Sequence, residues 1–303
     1  MILVTGAVGT VGREVVRCLP AGLSVRIMAR DPAKVTGAAP TAETVVGHHG
    51  DPASVTRALA GVTTAFLVTS RLEAGDDDRF VEAAKRAGVQ RLVKLSAAAV
   101  TDPGADDRIT RWQRANERLL RESGLEWTLL RPRAFMSNTL SWAPSVRSEG
   151  VVRALYGNSA SACVDPRDIA ECAVRTLAEE GHAGRAYTLT GPEATTAVEQ
   201  TRHLGRLLGI PLHFEELSPD QARAALSRRY PDPVVEALLE SAERQRQGRK
   251  EEVHDTVRVL TGRPSRSFRV WAEDHLEAFA PDADTTETPR WRARTDPRGG
   301  ARP

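Results

Sequence analysis

The chain has 303 residues, of which 41% are hydrophobic and 27% are charged, a composition typical of a globular protein. Its formal net charge of +2 is too small to indicate a nucleic-acid or anionic-membrane partner. The three cysteines are widely spaced and form no CxxC pair, so neither a disulfide framework nor a zinc site is indicated. The N-terminal residues show neither a signal peptide nor a membrane span, and we therefore expect a cytoplasmic protein.

Short apolar runs alternate with helix-period segments over residues 1–130. The apolar runs predict strands at residues 2–4, 25–28, 44–46, 65–68, 92–95 and 127–130. Several of these runs are apolar throughout, as expected of strands that are covered on both faces. Helices are predicted around residues 15–19, after Asp51-Pro52, and at residues 78–87 and 108–123. The alternation predicts an α/β fold with a doubly wound parallel sheet of the Rossmann type.

The rhythm changes after Pro132. Further strands are predicted at residues 151–156, 185–189 and 212–216, and helices at residues 168–180 and over most of 219–279. We interpret residues 1–150 as the sheet domain, to which strands of the later chain can return, and residues 151–280 as a smaller mixed α/β lobe. This lobe is expected to close over the ligand edge of the sheet. Residues 281–303 are rich in Pro, Gly and Arg without an apolar period, and are predicted to form a disordered tail.

A glycine-rich turn follows the first predicted strand and opens the first predicted helix. Gly6 permits a tight turn, Gly9 lets the backbone approach a pyrophosphate, and Gly12 lets the helix pack closely on the strand. The spacing is GxxGxxG rather than GxGxxG, and the alternative is a turn that binds nothing. The βα units that follow favour a nicotinamide dinucleotide, held by the amides at the helix start. The residues predicted to bind it here are Thr5, Gly6, Gly9, Thr10, Val11 and Gly12.

The end of the second strand discriminates between the two nicotinamide cofactors. An acidic residue there would accept hydrogen bonds from a free ribose hydroxyl, whereas an arginine would pair with a 2′-phosphate. The sequence has Arg30 at this point, with Arg13 as a possible support, and Asp31 is expected to cap a short helix. NADP(H) is therefore the predicted cofactor. The alternative for Arg30 is a solvated surface charge.

Further motifs extend a family resemblance over residues 1–280. They are Gly50-Asp51-Pro52, Phe66-Leu67-Val68-Thr69, Val93-Lys94-Leu95-Ser96, the run from Ser123 to Pro132 with Phe135-Met136, Asp165-Pro166-Arg167-Asp168-Ile169-Ala170, and Tyr187-Thr188-Leu189-Thr190-Gly191-Pro192. With these motifs the chain resembles the NmrA-like group of atypical short-chain dehydrogenases/reductases. This group includes reductases of quinones and azo compounds, and also proteins that sense the redox state of the cofactor without turnover.

The resemblance implies roles for residues outside the glycine turn. Asp51 would lie near the adenine, and Val68, Thr69 and Ser96 would line the nicotinamide side. The loop from Pro132 to Phe135 would cover the nicotinamide.

The helix after the fifth strand lacks the Tyr-x-x-x-Lys pair of most short-chain reductases. Trp112 and Asn116 occupy the equivalent spacing, and indole is not an acid at neutral pH. Alcohol or ketone chemistry is therefore disfavoured, while the reduction of a substrate that needs only a hydride would depend less on the missing pair. Ser96 and Gln113 are the candidates for orienting a substrate carbonyl. Their alternatives are a strand-end cap for Ser96 and an exposed helix position for Gln113.

Other side chains carry weaker signals. His48-His49 is interpreted as a solvated loop, and no metal site is predicted. The absence of GxSxG disfavours a hydrolase. Phe135, Met136 and Trp142 form either an apolar substrate wall or plain core packing. Asp168 is expected to cap its helix.

Two functions compete on these observations. The first is an NADPH-dependent oxidoreductase that transfers hydride to a small conjugated or aromatic substrate of the quinone, azo or enone type. The second is a regulatory protein that senses NADP(H) without turnover, and a non-redox isomerase or dehydratase is a third, weaker reading. We expect a small-molecule partner, no nucleic-acid or membrane partner, and a monomer or homodimer.

Overall fold

A seven-stranded parallel sheet forms the centre of the computed structural model, which describes residues 1–72 and 74–280. The strands of the described residues are β1 (Ile2–Val4), β2 (Val25–Ala29), β3 (Glu43–Val46), β4 (Thr64–Leu67), β5 (Arg91–Leu95), β6 (Glu126–Pro132), β7 (Val151–Ala154), β8 (Arg185–Leu189) and β9 (His213–Glu216). The order across the large sheet is β3-β2-β1-β4-β5-β6-β8, while β7 and β9 pair as a separate parallel sheet. The predicted α/β fold of the Rossmann type is confirmed.

Helices connect the strands of the described residues. The α-helices are α1 (Thr10–Cys18), α2 (Pro52–Leu59), α3 (Asp76–Ala87), α4 (Arg108–Glu122), α5 (Ala143–Glu149), α6 (Pro166–Ala178), α7 (Ala197–Leu208), α8 (Pro219–Ser227), α9 (Asp232–Arg246), α10 (Thr256–Thr261) and α11 (Phe268–Asp274). Short 3₁₀ helices are Pro32–Lys34, Ala98–Thr101, Met136–Trp142 and Leu276–Ala278. The connection from β2 to β3 contains one of these 3₁₀ helices in place of an α-helix, and Asp31 caps it by accepting from the Ala33 amide at 3.1 Å.

Both faces of the large sheet are buried at its central strands, whereas the edge strand β3 is mostly exposed. Because side chains alternate along a strand, Ile2 and Val4 of β1 pack on the side of α1, whereas Leu3 packs on the side of α2 and α3. The same division holds for the neighbouring strands, which explains the apolar runs in the sequence.

The strand order reverses at β1. From β1 the chain adds β2 and β3 on one side, and it then crosses to β4 on the other side of β1. In open parallel sheets, ligands bind beyond the carboxyl ends of the strands at such a reversal. The turn that follows β1 therefore lies where a ligand is expected.

The later chain contributes to two structures. Strand β8 pairs with β6 in the large sheet, and Ile169, Cys172 and Ala173 of α6 share a buried core with α1. The remaining elements form a smaller lobe around a core that includes Val146 and Trp271. The division of the chain at residue 150 stays a prediction, and the predicted tail at residues 281–303 lies outside the described residues.

The predicted capping role of Asp168 is wrong. Asp165 caps α6 by accepting from the Arg167 amide at 2.8 Å, so Asp168 is the third helical residue and faces inward. Its carboxylate is fully buried and accepts from the Arg263 side chain at 2.9 Å and from the Arg266 amide at 2.7 Å. Asp168 therefore holds the segment after α10 against α6.

Candidate cofactor and substrate site

A cavity of 530 Å³ lies beyond the carboxyl ends of β1, β2, β3 and β4. Most of the predicted cofactor-binding residues line it, namely Gly6, Gly9, Thr10, Val11, Gly12, Arg30, Val68 and Phe135. The topological reversal of the sheet thus coincides with a cavity large enough for a small-molecule ligand.

The glycine turn has the geometry of an anion cradle. Gly6 has φ +68°, a left-handed conformation that disfavours any side chain, and a Cβ on Gly12 would lie 2.1 Å from the Gly6 carbonyl oxygen. A Cβ on Gly9 would meet protein only at that same oxygen, at 3.2 Å. Gly9 is the N-cap of α1, where no side chain caps the helix and no acidic residue occupies the first turn. The amides at this helix start are therefore available to a phosphate group.

Thr5 has a structural role beside this turn. Its buried hydroxyl donates to the Phe66 carbonyl at 2.9 Å and accepts from the Val68 amide at 2.9 Å. It therefore fixes the end of β1 against β4 and does not line the cavity.

Arg30 presents an unpaired charge to the cavity. Within residues 1–72 and 74–280, no carboxylate lies within 4.0 Å of its guanidinium, whereas the neighbouring Lys34 pairs with Asp31 at 3.6 Å. Arg13 is instead directed to the Val8 carbonyl, at 3.2 Å. Arg30 is thus placed to receive a phosphate at the end of β2.

Asp51 and Thr69 were also predicted to contact the cofactor, and they do not line this cavity. Asp51 caps α2 by accepting from the Ala53 amide at 3.1 Å. Thr69 is buried in a network in which it donates to Asp77 at 2.7 Å and accepts from Lys94 at 3.2 Å, while Lys94 pairs with Asp77 at 2.6 Å. Their contacts with a cofactor stay predictions.

The two adjacent histidines also line this cavity, which the sequence analysis missed. His48 is exposed, but His49 is largely buried, its Nε2 lies 3.0 Å from the Val68 carbonyl oxygen, and its ring packs edge-on against Phe80. The solvated-loop interpretation is therefore wrong for His49, and burial lowers the pKa of its imidazole. The described part of the chain contains no group of three residues arranged to hold a metal ion.

A second cavity of 310 Å³ adjoins the first, and Phe135 lines both. It lies between the ends of β5 and β6, the first turn of α4, and α9 of the smaller lobe. Ser96 and Pro132 line it at the sheet, and Ile109, Ala237 and Leu238 supply an apolar side. Phe135 therefore stands at the boundary between the two cavities.

The two predicted catalytic residues differ in placement. Ser96 lines the second cavity, but its hydroxyl donates to Glu117 at 2.7 Å, and Glu117 in turn pairs with Arg131 at 2.5 Å. Gln113 is buried on the inner face of α4 and does not line either cavity, so the exposed-position alternative for it is wrong. The catalytic roles of Ser96 and Gln113 stay predictions.

Of the three residues predicted to form an apolar substrate wall, Phe135 alone lines the two cavities. Met136 is buried in the core of the smaller lobe, and Trp142 packs against that core. Neither lines the cavities, so these two residues serve packing.

The second cavity also contains charged residues that the sequence analysis missed. Arg133, Arg244 and Lys250 line it together with Asp107. Arg133 follows Pro132 directly at the end of β6, which is the one local signal for its position. Arg244 lies in α9 and Lys250 in the segment after it, both far along the chain from β6. No sequence spacing connects them to the sheet.

Among the described residues, no tyrosine lines either cavity. The tyrosine of the Tyr-x-x-x-Lys pair, which α4 lacks, therefore has no counterpart among the described residues that line the cavities. Across the described ranges, no helix is long and apolar enough to cross a bilayer.

Comparisons with known proteins agree with this geometry. The NAD(P)H-binding family matches residues 6–180. A (4-alkanoyl-5-oxo-2,5-dihydrofuran-3-yl)methyl phosphate reductase of Streptomyces griseus is 58% identical over 282 residues, which cover 93% of this chain and 100% of the relative. An NAD(P)H azoreductase of Xenophilus azovorans is 34% identical over 92% of this chain and 99% of its own.

A solved structure shows the same architecture. The crystal structure of an NADPH-dependent quinone oxidoreductase of Escherichia coli, complexed with NADPH, superposes with a TM-score of 0.79 at 28% identity and covers 91% of this chain and 100% of that one. The resemblance inferred from the sequence motifs is confirmed. The chain belongs to the NAD(P)H-binding family, within its NmrA-like group of atypical short-chain dehydrogenases/reductases, and is an NAD(P)H-dependent oxidoreductase.

Proposed function

We propose that this chain catalyses the NADPH-dependent reduction of a carbon–carbon double bond that is conjugated to carbonyl groups in a small lactone. The observation that carries the proposal is the meeting of the dinucleotide cavity and the apolar-sided second cavity at Phe135. The 58% identity over the whole Streptomyces griseus relative supports the lactone class, since that enzyme is named for an unsaturated ring lactone.

The residues of the first cavity fit the phosphorylated cofactor. The uncapped start of α1 offers amides to the diphosphate, and the unpaired Arg30 at the end of β2 offers a guanidinium to the 2′-phosphate. Bound NADPH supplies a hydride.

The protein contributes position and a dry surface to the reaction. Phe135 lies between the two cavities, and Ile109 and Leu238 give the acceptor an apolar support. The Ser96 hydroxyl donates its proton in a hydrogen bond to Glu117, so it offers only an acceptor oxygen to the cavity and no proton to the substrate.

The chemistry of such a lactone explains why a tyrosine acid is dispensable. When hydride adds to the ring carbon that bears the phosphomethyl group, the electron pair of the double bond moves to the next ring carbon. That carbon lies between the ring carbonyl and the alkanoyl carbonyl, so the charge is delocalised over two oxygens as an enolate. A proton from water then completes the reduction, and a strong general acid is not required.

The proposal is tested by measuring NADPH consumption with a 4-alkanoyl-butenolide phosphate, a quinone, an azo dye and a simple ketone. We expect turnover of the butenolide, weaker turnover of the quinone and azo compounds, and no turnover of the ketone. Mass spectrometry should show that the butenolide product has gained two hydrogens at the ring double bond. Tight NADPH binding without turnover of any compound would refute the proposal and favour the cofactor-sensing alternative.

A further inference from the structure

The second cavity has one strongly cationic end. Arg133, Arg244 and Lys250 line it, and Asp107 is the carboxylate among its lining residues. The three cations differ in whether they already have a partner.

Arg244 is neutralised by the protein. Its Nη2 lies 2.6 Å from Asp107 Oδ2, and its Nε lies 3.9 Å from Asp102 Oδ2. Asp107 is also the N-cap of α4, where it accepts from the Thr110 amide at 2.9 Å. This pair therefore attaches α9 to α4 and leaves no charge for a ligand.

Arg133 has no counterion among the described residues. Its Nε is buried without a hydrogen-bond partner, and its Nη1 donates a long hydrogen bond to the Arg249 carbonyl at 3.4 Å. Glu252 and Asp102 act on it electrostatically, but neither carboxylate lies within 4.0 Å. Burial lowers the pKa of the Arg133 guanidinium, which reflects the removal of water without a compensating anion.

Lys250 also lacks a counterion among the described residues. Its Nζ donates to Ser241 Oγ at 2.7 Å, and no carboxylate in the described ranges lies within 4.0 Å of it. Burial, together with the positive charge of the neighbouring Arg244, lowers the pKa of Lys250 to about 8. Two largely buried cations that share one cavity, neither with a carboxylate within 4.0 Å among the described residues, are unfavourable for the protein alone.

We infer that Arg133 and Lys250 form a subsite for the phosphate monoester group of the substrate. This inference rests on the proposed function, and it adds the residues that select a phosphorylated acceptor. A phosphate monoester carries a charge of about −1.5 to −2 at neutral pH, which matches two unpaired cations. The planar fork of Arg133 suits two phosphate oxygens, and Lys250 adds a point charge.

The position of the subsite also fits the size of the substrate. Arg133 is two residues from Phe135, so their Cα atoms are at most about 7 Å apart along the chain. In the lactone named above, one carbon and one oxygen separate the ring carbon that accepts hydride from the phosphorus. The phosphate must therefore lie close to the boundary between the cavities, as Arg133 does. The apolar side around Ile109, Ala237 and Leu238 is left for the alkanoyl chain.

The experiment compares a (4-alkanoyl-5-oxo-2,5-dihydrofuran-3-yl)methyl phosphate with the corresponding alcohol as acceptors. The wild-type chain, Arg133→Met and Lys250→Met are assayed, with Arg249→Ala as a control that removes an exposed charge next to the subsite. We expect Arg133→Met to lower kcat/KM for the phosphate ester on the order of 30-fold, through KM, because it removes charge-assisted hydrogen bonds. The kcat/KM for the alcohol should change little, and to the same extent, in all three variants. The affinity for NADPH should be unchanged.

Two results would overturn the subsite. One is equal kcat/KM for the phosphate ester and the alcohol in the wild-type chain, and the other is an equal loss for both compounds in Arg133→Met. Loss of NADPH affinity in Arg133→Met would show general damage to the site. Arg133→Lys, which keeps the charge, is then assayed in its place. Selectivity for the phosphate ester in Arg133→Lys supports the subsite, and its absence refutes the subsite.

Failure of the proposed function gives a different pattern. If NADPH binds but neither acceptor is reduced, calorimetry with phenyl phosphate in the presence of NADP⁺ tests the subsite alone. Binding to the wild-type chain that is lost in Arg133→Met supports the subsite, and absent or equal binding refutes it.

Discussion

Substitution of Gly12 by alanine tests the cradle at its most crowded point. A Cβ at Gly12 would lie 2.1 Å from the Gly6 carbonyl oxygen and 2.6 Å from the Gly6 carbonyl carbon, both of which belong to the backbone. To reach ordinary contact at about 3.4 Å, the turn must move by about 1.3 Å. Such overpacking costs about 3 kcal/mol. Alanine is favoured over glycine inside a helix by about 1 kcal/mol, so the net loss of unfolding free energy is about 2 kcal/mol.

The same displacement moves the amides away from the diphosphate. Loss of one hydrogen bond to a charged group corresponds to about 1.5–3 kcal/mol, and the NADPH dissociation constant should rise on the order of 10- to 100-fold. Denaturant unfolding without cofactor measures the first effect, and calorimetric titration with NADPH measures the second. Gly22→Ala is the matched control, since a Cβ there meets nothing within 4 Å. A Gly12→Ala variant that is more stable than wild type, or that binds NADPH as tightly, would refute the assignment of the turn.

Three further predictions concern the charges and the hydroxyl of the site. Arg30→Ala should raise the NADPH dissociation constant roughly tenfold and leave that of NADH unchanged, because only the 2′-phosphate loses its partner; equal losses for both would contradict this role. Ser96→Ala should lower kcat with the butenolide by less than about tenfold at constant NADPH affinity, because the hydroxyl proton is engaged by Glu117. A loss comparable to removal of a general acid would instead place Ser96 in proton transfer. The kcat/KM of the phosphate ester should fall as the pH rises through about 8, where Lys250 loses its charge in surroundings that include Arg133, Arg244, Asp107 and Cys163. The kcat/KM of the alcohol should stay flat over that range, and a parallel fall would show that Lys250 acts on the ring chemistry.

The sheet and its cradle were predictable because their signals are local. Each strand is an apolar run bounded by a turn, and Gly6, Gly9 and Gly12 stand at fixed offsets from β1. Arg30 was predictable for the same reason, since its place follows from the end of β2. The physics of these features acts within a few residues along the chain.

The lining of the second cavity was not predictable in the same way. Arg133 and Lys250 are brought together only when the segment after α9 folds back over the end of β6. Asp168 shows a related limit, since its sequence position fits a cap while its partners, Arg263 and Arg266, come from far along the chain. Thr69 illustrates a third limit. The motif predicts that Thr69 lies near the cavity, but it does not predict the hydrogen bonds of Thr69 with the buried Lys94 and Asp77.

The return of β8 and α6 to the sheet domain has a consequence for recombination with relatives. A chimera joined at residue 150 would combine α1 from one parent with α6 from the other, although Val15 and Val16 share one buried core with Ile169 and Ala173. We expect such hybrids to unfold at lower denaturant concentration than either parent. Exchange of the stretch between β8 and α10 leaves that core within a single parent, and so offers a route to exchange the α9 and Lys250 side of the second cavity on an intact coenzyme scaffold.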